Sequence, residues 1–329
     1  MRVSLARKMQ RTAIAGLAFL SCLAAVPKVP PAPQTVSLLY AGSLGSLVER
    51  GIVPALAQHR LQVQGEPMGS VAAARMMLDG LRRPDVFISA DPEVNRQILM
   101  RPPHRLADWY VVFAAGELGI AYRPASRYAS LLDAARQGHL AWYRALESPG
   151  LLLGRTDPAL DPKGYRTVLL FRMAADHYGH PELTKLLGAD ENPQQIFPEP
   201  ELVLRLETGQ LDAAVLYRHE AVARGLPFIV LPAAINFSDP RFAARYARYS
   251  YRTRSGLTVS GQPILFTATI PTAAAHRSAA IALLQFLCSP EARVMFERFG
   301  LRPVQPWAEG DWQQLPSELR PRLHPAPES

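Results

Sequence analysis

Three times within its first hundred residues the chain passes from a short apolar segment, through a turn of small residues, into an amphipathic helical pattern, and this repetition restricts its fold more than any other feature. Val36 to Tyr40 ends at Ala41-Gly42-Ser43-Leu44, after which Leu47, Val48, Ile52, Val53 and Leu56 recur at helical spacing. Leu61 to Glu66 leads through Met68-Gly69-Ser70 into a helical pattern from Val71 to Leu81. Asp85 to Ser89 leads through Ala90-Asp91-Pro92 into a helix ending near Leu99. Successive strand-turn-helix units predict an α/β fold with a parallel sheet. Ligands of such sheets lie beyond the C-terminal strand ends, which places Gly42, Ser43 and Ser70 at the candidate edge. The glycines let backbone approach a ligand closely; each serine taken singly is better read as a helix N-cap, and two at one edge strengthen the ligand reading.

With 329 residues the chain is long for one core and suits two domains. Trp109 to Tyr122 is its longest strand-like run, interrupted at Gly116-Glu117, and is expected to bend there from one lobe into another. The second lobe follows with helix Leu131 to Gln137, strand Leu151 to Gly154, helix Tyr165 to Tyr178, helix Glu201 to Thr208, strand Asp212 to Tyr217 and strand Phe228 to Leu231. A polar, arginine-rich passage from Pro232 to Gly261 precedes a strand, Pro263 to Ile270, that returns beside the first crossing. Helices Ala273 to Cys288 and Glu291 to Phe299 complete the pattern. The expected division is lobe I over 35–115 and 233–301, lobe II over 116–232, and a Pro-rich C-terminal tail over 302–329.

The N-terminus is of another kind. Arg2, Arg7, Lys8 and Arg11 precede an apolar run from Thr12 to Val26 that is short for a membrane span, so residues 1–26 read as a secretory signal and 27–34 as a linker. Small residues at Ala24 and Ala25 suit an ordinary signal peptidase, whereas Phe19-Leu20-Ser21-Cys22 imperfectly resembles a lipoprotein site that would leave a lipid anchor on Cys22. Without those four basic residues the net charge falls from +8 to about +4, so no nucleic-acid partner is expected. Cys288 is then left alone on an apolar helix, where it is expected to be core.

The stretch Gly154-Arg155-Thr156-Asp157-Pro158-Ala159-Leu160-Asp161-Pro162-Lys163-Gly164-Tyr165-Arg166 is a turn-rich loop running into a helix. Asp161 is the expected N-cap and Pro162 the first helical residue, so the amides of Lys163 and Gly164 and the helix dipole favour an anion nearby. Glu207 is a second carboxylate of interest, placed before Gly209 and the strand ending at Tyr217; read from the residues alone it is an exposed helix-end Glu. No HExxH or CxxC spacing, GxSxG elbow, Walker loop or GxGxxG turn is present, which removes the enzymes those motifs define. Two lobes joined by crossing strands, exported and without those signatures, point to a binding protein that closes over a ligand.

YAGSL at 40–44, GSVAAAR at 69–75, DVFISAD at 85–91, WYVVFA at 109–114, GRTDPALDPKGYR at 154–166, LETGQLDAAVLYRHEA at 206–221 and LPAAINFSDP at 231–240 together resemble the tungstate/molybdate-binding receptors of ABC importers. That resemblance implies a type II periplasmic-binding-protein fold, two α/β lobes joined by crossing strands, with the oxyanion held between them. It implies ligand contacts from Gly42, Ser43, Ser70 and Tyr217, and direct approach of Asp161 and Glu207 to the Mo or W centre, expanding its coordination from tetrahedral to octahedral. It further implies no cofactor, permease and ATPase partners, a monomer, and a place in the periplasm or anchored on the membrane's outer face. Molybdate and tungstate carry no proton at neutral pH, so a carboxylate beside them must bind the metal; beside hydrogen phosphate it would accept a proton, and sulfate offers neither option. The sequence departs from archaeal members in carrying Lys163 where they have Cys, read as facing solvent in preference to adding charge near the anion, and in LPAAIN for a more acidic LPxEIN.

Other readings of the same residues are a phosphate receptor, a ferric-ion receptor using Tyr246, Tyr249 and Tyr251, and an exported lyase or dehydratase with Asp161 and Glu207 as an acid/base pair. The tyrosine-rich run also fits a solvated connection packed against a lobe.

Overall fold

The computed structural model describes residues 34–188, 192–254 and 256–326; the expected signal segment and Cys22 lie outside them. β1 (Gln34–Ala41) starts at the last residue of the expected linker and leads through a 3-10 turn and a short π-helical stretch into α1 (Val53–Gln58). β2 (Leu61–Met68), α2 (Ser70–Leu78) and β3 (Val86–Ser89) complete the repeat read from the sequence. β1 pairs parallel with both β2 and β3, as strand-turn-helix units require.

The Trp109 to Tyr122 run divides where expected, into β4 (Trp109–Ala115) and β5 (Leu118–Tyr122), and the two join different sheets. After β5 come α3 (Ala129–Arg136), β6 (Leu153–Gly154), α4 (Pro162–Tyr178), α5 (Glu199–Glu207), β7 (Ala213–Tyr217), α6 (Arg218–Arg224) and β8 (Phe228–Val230). These strands form a four-stranded sheet in the order β6-β7-β5-β8, in which β6 and β7 are parallel. The chain continues through β9 (Ser250–Arg252), β10 (Thr258–Ser260), β11 (Leu265–Thr269), α7 (Arg277–Leu287), α8 (Pro290–Arg298) and β12 (Arg302–Gly310). The larger sheet has the order β12-β4-β11-β3-β1-β2, with β4 flanked antiparallel by β11 and β12.

Every residue of β3, β4, β5 and β7 is buried, so their near-continuous apolar runs reflect cover on both faces. The return passage lies beside the first crossing: Gly116 N–H donates to the Ile264 carbonyl and Leu118 N–H to that of Asn236, at 3.0 Å each. Cys288 is buried in the core, and burial pushes its thiol up to about 12.

Two expectations are corrected. Residues 302–310 are not a free tail but the edge strand beside β4, where Glu309 accepts from the Tyr110 hydroxyl and from Arg96, both at 2.6 Å. Alternation along this strand is spoiled by Pro303 and Pro306, tolerated because the strand is at an edge. The arginine-rich passage, expected within lobe I, touches both lobes through its β9–β10 hairpin: Gln97 donates to the Thr258 carbonyl at 2.9 Å, while Arg172 donates to the Ser250 carbonyl at 2.9 Å and the Tyr249 hydroxyl to Asp176 at 2.6 Å. Among the described residues no single helix is long and apolar enough to cross a membrane.

Candidate ligand site

The C-terminal ends of β1, β2 and β3 face the N-terminal ends of α4 and α5, and a set of buried polar groups collects where they meet. Asp161 caps α4 as expected. Its Oδ1 accepts from Lys163 N–H at 2.8 Å, Gly164 N–H at 3.3 Å and the Thr156 hydroxyl at 2.8 Å. Its Oδ2 is equally buried and has no hydrogen-bond partner.

The second carboxylate is Glu199, the first residue of α5, with a side chain only 1 % exposed and neither oxygen hydrogen-bonded. Burial first, and the neighbouring Asp161 carboxylate next, push its pKa well above the usual carboxylate range. The expectation for Glu207 is thereby corrected. Glu207 is the last residue of α5, about 12 Å along the axis from Glu199 by helical rise, and its side chain is 30 % exposed and ion-paired to Arg224 at 3.1 Å. The motif reading reached the right helix at the wrong end. The missed signal is Pro198-Glu199-Pro200, a helix start carrying an acidic residue, the same grammar as Asp161-Pro162.

Both carboxylates abut glycine turns of the larger sheet. A Cβ on Gly42 would lie 2.7 Å from Glu199 Oε2, and one on Gly69 would lie 2.7 Å from the Leu160 carbonyl and 3.3 Å from Asp161 Cβ. Absence of a side chain is what allows the approach. The loop before α4 is also tied to α2, whose Ala72 N–H donates to the Leu160 carbonyl at 3.1 Å. Ser43 follows Gly42, and its buried hydroxyl has no partner. The Ser70 hydroxyl accepts from Ala90 N–H at 3.1 Å, which leaves its own hydrogen to donate. The turn of Gly42 and Ser43 thus meets Glu199, and the turn of Gly69 and Ser70 meets Asp161.

Tyr217, also expected here, is fully buried, and its hydroxyl accepts from Arg166 at 2.9 Å, leaving the phenolic hydrogen to donate. Burial holds that hydrogen on by raising the pKa well above its ordinary value. Arg166 bridges the two sheets: it donates to the Ala90 carbonyl and to Asp91, each at 2.7 Å, and Asp91 also accepts from Tyr165 and Gln262. His219 stacks on Tyr217 and donates Nε2–H to the Ser43 carbonyl at 3.1 Å, which fixes its tautomer; burial, then Lys163, lower its pKa to about 3.

Lys163, expected to face solvent, is instead fully buried. Its Nζ donates to Glu220 Oε1 at 2.7 Å and Oε2 at 2.9 Å, and stands 3.6 Å from Glu199 Oε1. Burial opposes its charge, but the Glu220 and Glu199 carboxylates outweigh burial and raise its pKa. Asp157 takes no part, since it accepts from Ala159 N–H and pairs with Arg254 at 3.6 Å. Tyr246, Tyr249 and Tyr251 do not converge: Tyr246 packs on Phe237 with its hydroxyl to the Ala233 carbonyl, while Tyr249 and Tyr251 lie against α4. Among the described residues no three His, Cys, Asp or Glu gather to hold a metal ion.

Two α/β units of opposed helix and strand ends, joined by adjacent crossings and enclosing inward-facing donors and carboxylates, define a two-lobed binding protein. The chain belongs to the bacterial extracellular solute-binding protein family, whose model matches residues 36–302. A putative ABC transporter molybdenum-binding protein of Haloferax volcanii is 41% identical over 71% of this chain and 72% of its own length. The molybdate/tungstate-binding protein of Thermococcus kodakarensis is 30% identical over 72% of this chain and 71% of its own. The solved sulfate-binding protein SubI of Mycobacterium tuberculosis shares the fold with a TM-score of 0.56 at 15% identity, covering 82% of this chain and 87% of that one.

Proposed function

We propose that this protein is the extracytoplasmic receptor of an ABC importer and captures molybdate or tungstate between its lobes. The observation that carries the reading is the pair of buried carboxylates, Asp161 and Glu199, which are close enough to share a proton and whose oxygens Oδ2, Oε1 and Oε2 have no other hydrogen-bond partner; the buried Ser43 hydroxyl, next to Gly42 in the turn against Glu199, has none either. Buried polar atoms left unpaired are costly, and a cluster of them marks where a ligand completes the arrangement. Two carboxylates repel a dianion unless their oxygens bond to its central atom, as hard donors do to a high-valent metal. Ser43, Ser70 and Tyr217 then donate to the oxyanion's own oxygens. The names of the two relatives at 41% and 30% identity support the same ligands.

A second reading is favoured by one observation. The raised pKa of Glu199 suits a carboxylic acid sharing a proton with hydrogen phosphate. The sulfate receptor's likeness is one of fold alone and carries no ligand. The ferric reading has no tyrosine cluster behind it, and the lyase reading no longer has Glu207, which is ion-paired to Arg224 away from Asp161.

Calorimetry of the mature, ligand-stripped protein against tungstate, molybdate, phosphate and sulfate separates these readings. Saturable binding of the first two is expected, with Asp161→Ala and Glu199→Ala each weakening it on the order of a hundredfold, about 2.8 kcal/mol. Glu207→Ala and Asp157→Ala are expected to stay within about threefold, since neither carboxylate reaches the cluster. Binding of phosphate alone replaces the metal-centred reading with the proton-sharing one.

A further inference from the structure

We propose that Lys163 is a positioning residue that presents the Glu199 carboxylate to the bound anion, and thereby sets the preference for oxyanions whose central atom accepts carboxylate oxygens. The inference rests on the proposed function and deepens it.

Lys163 is held from three elements. Its backbone N–H, in the first turn of α4, donates to Asp161, so its stem leaves the site's edge inward. Two of its three ammonium hydrogens are directed to Glu220 at 2.7 and 2.9 Å. Glu220 is itself fixed, because its Oε2 accepts from Tyr217 N–H at 2.9 Å in the capping box of α6. The third hydrogen is left for Glu199 Oε1 of α5, at 3.6 Å, a distance of charge attraction and not of a hydrogen bond. The Tyr217 ring closes the remaining side, 5.5 Å from Nζ. The charged or titratable groups around the ammonium are therefore Asp161, Glu199, Glu220, Tyr217 and His219.

The consequence differs by ligand. Asp161 already has three hydrogen bonds on Oδ1 to hold its charge and direction, whereas no donor reaches Glu199 beyond the proton it can share with Asp161, and the Lys163 ammonium, 3.6 Å away, is the positive charge beside it. An anion bonded through its metal uses Glu199 and so depends on Lys163. Sulfate offers only its own oxygens, so from Glu199 it takes at most a hydrogen bond from the protonated carboxyl, which needs no nearby cation, and it draws chiefly on the serine and tyrosine donors.

The double variant Lys163→Met/Glu220→Gln tests this in the mature protein, because it removes one charge of each sign and leaves the net charge of the buried cluster unchanged. Calorimetry is run with molybdate and with sulfate, directly or as competitor, and the Mo-edge X-ray absorption spectrum reports coordination. Molybdate affinity is expected to fall tenfold or more, the range for losing a group that orients a metal ligand. Sulfate is expected to move less than about threefold, and the Mo centre to lose a carboxylate oxygen. Parallel losses for both anions with coordination unchanged would overturn the inference. Lys163→Arg keeps the positive charge, and although its bulk lowers affinity in so buried a site, the Mo centre is expected to keep its expanded coordination. If that coordination is lost as fully as in the double variant, the charge is not what presents Glu199 and the inference is again overturned. A wild-type protein that ignores molybdate, or holds it tetrahedrally, instead removes the underlying function before any variant is compared.

Discussion

Glu199 and His219 sit within one cluster yet bias stability in opposite directions with pH. His219, neutral and buried, has a folded pKa of about 3 against 6.5 for the free group. The unfolded chain takes up that proton first, so its contribution is whole above pH 6.5 and is lost as pH falls toward 3, about 1.4 kcal/mol per unit. Glu199 is raised, so the folded chain holds its proton where the unfolded one has released it. Its contribution is present below about pH 4.5 and is lost as pH rises through the folded value. Thermal unfolding of the stripped protein across pH 4 to 9 is expected to show Glu199→Gln raising the alkaline limb, and His219→Gln flattening the acid one. A Glu199→Gln variant no more stable than wild type at pH 8 would contradict the burial argument. Gly42→Ala makes a steric test of the same carboxylate: a Cβ 2.7 Å from Oε2 must displace it, so ligand affinity is expected to fall about tenfold while the melting temperature moves little.

At the scale of elements, the site is made of helix starts. α4 follows an acidic cap, Asp161, at Pro162, and α5 starts on Glu199 between two prolines; these carboxylates abut the glycine turns after β2 and β1. Asp161 was legible because the loop before it is rich in turn residues and the apolar pattern after it is regular. Glu199 was not, because the helix was read from Glu201, where periodicity begins, and the carboxylate at its far end carried the motif. Lys163 was misread for a related reason: a lysine in a first helical turn ordinarily reaches solvent, and only Glu220, fifty-seven residues on, explains its burial. The strands were easier, since full burial writes itself as unbroken apolar sequence. β12 escaped because its prolines hide the alternation. Arg166 in α4 and Asp91 after β3 form a buried pair across the two sheets, and Arg166→Met is expected to cost about 3 kcal/mol or more by stranding Asp91. Urea unfolding should show the double variant with Asp91→Asn recovering much of that loss.

For the molecule as a whole, the chain order matters as much as the geometry. The larger sheet is built from the first and last parts of the sequence, with the smaller lobe inserted between them at Gly116 and closed off near Ile264. The order of parts was visible in the sequence, since the interrupted run and the returning strand were both there. The hairpin's attachment to α4 was not, because it depends on Arg172 and Asp176 meeting residues more than seventy positions away. Ending the chain at Leu301 removes the partner of one side of β4, and a drop in melting temperature on the order of 10 °C is expected, measured by calorimetric scanning.

β4 has a further implication in the dimension of time. Both of its neighbours, β11 and β12, are made after residue 264, so a strand buried at all seven positions waits unpaired while some hundred and fifty residues more are synthesised. Pairings that distant in sequence form slowly. For a member of an extracellular family that delay is useful: the nascent polypeptide stays threadable until the segments carrying β11 and β12 have been made, and only then can the sheet lock.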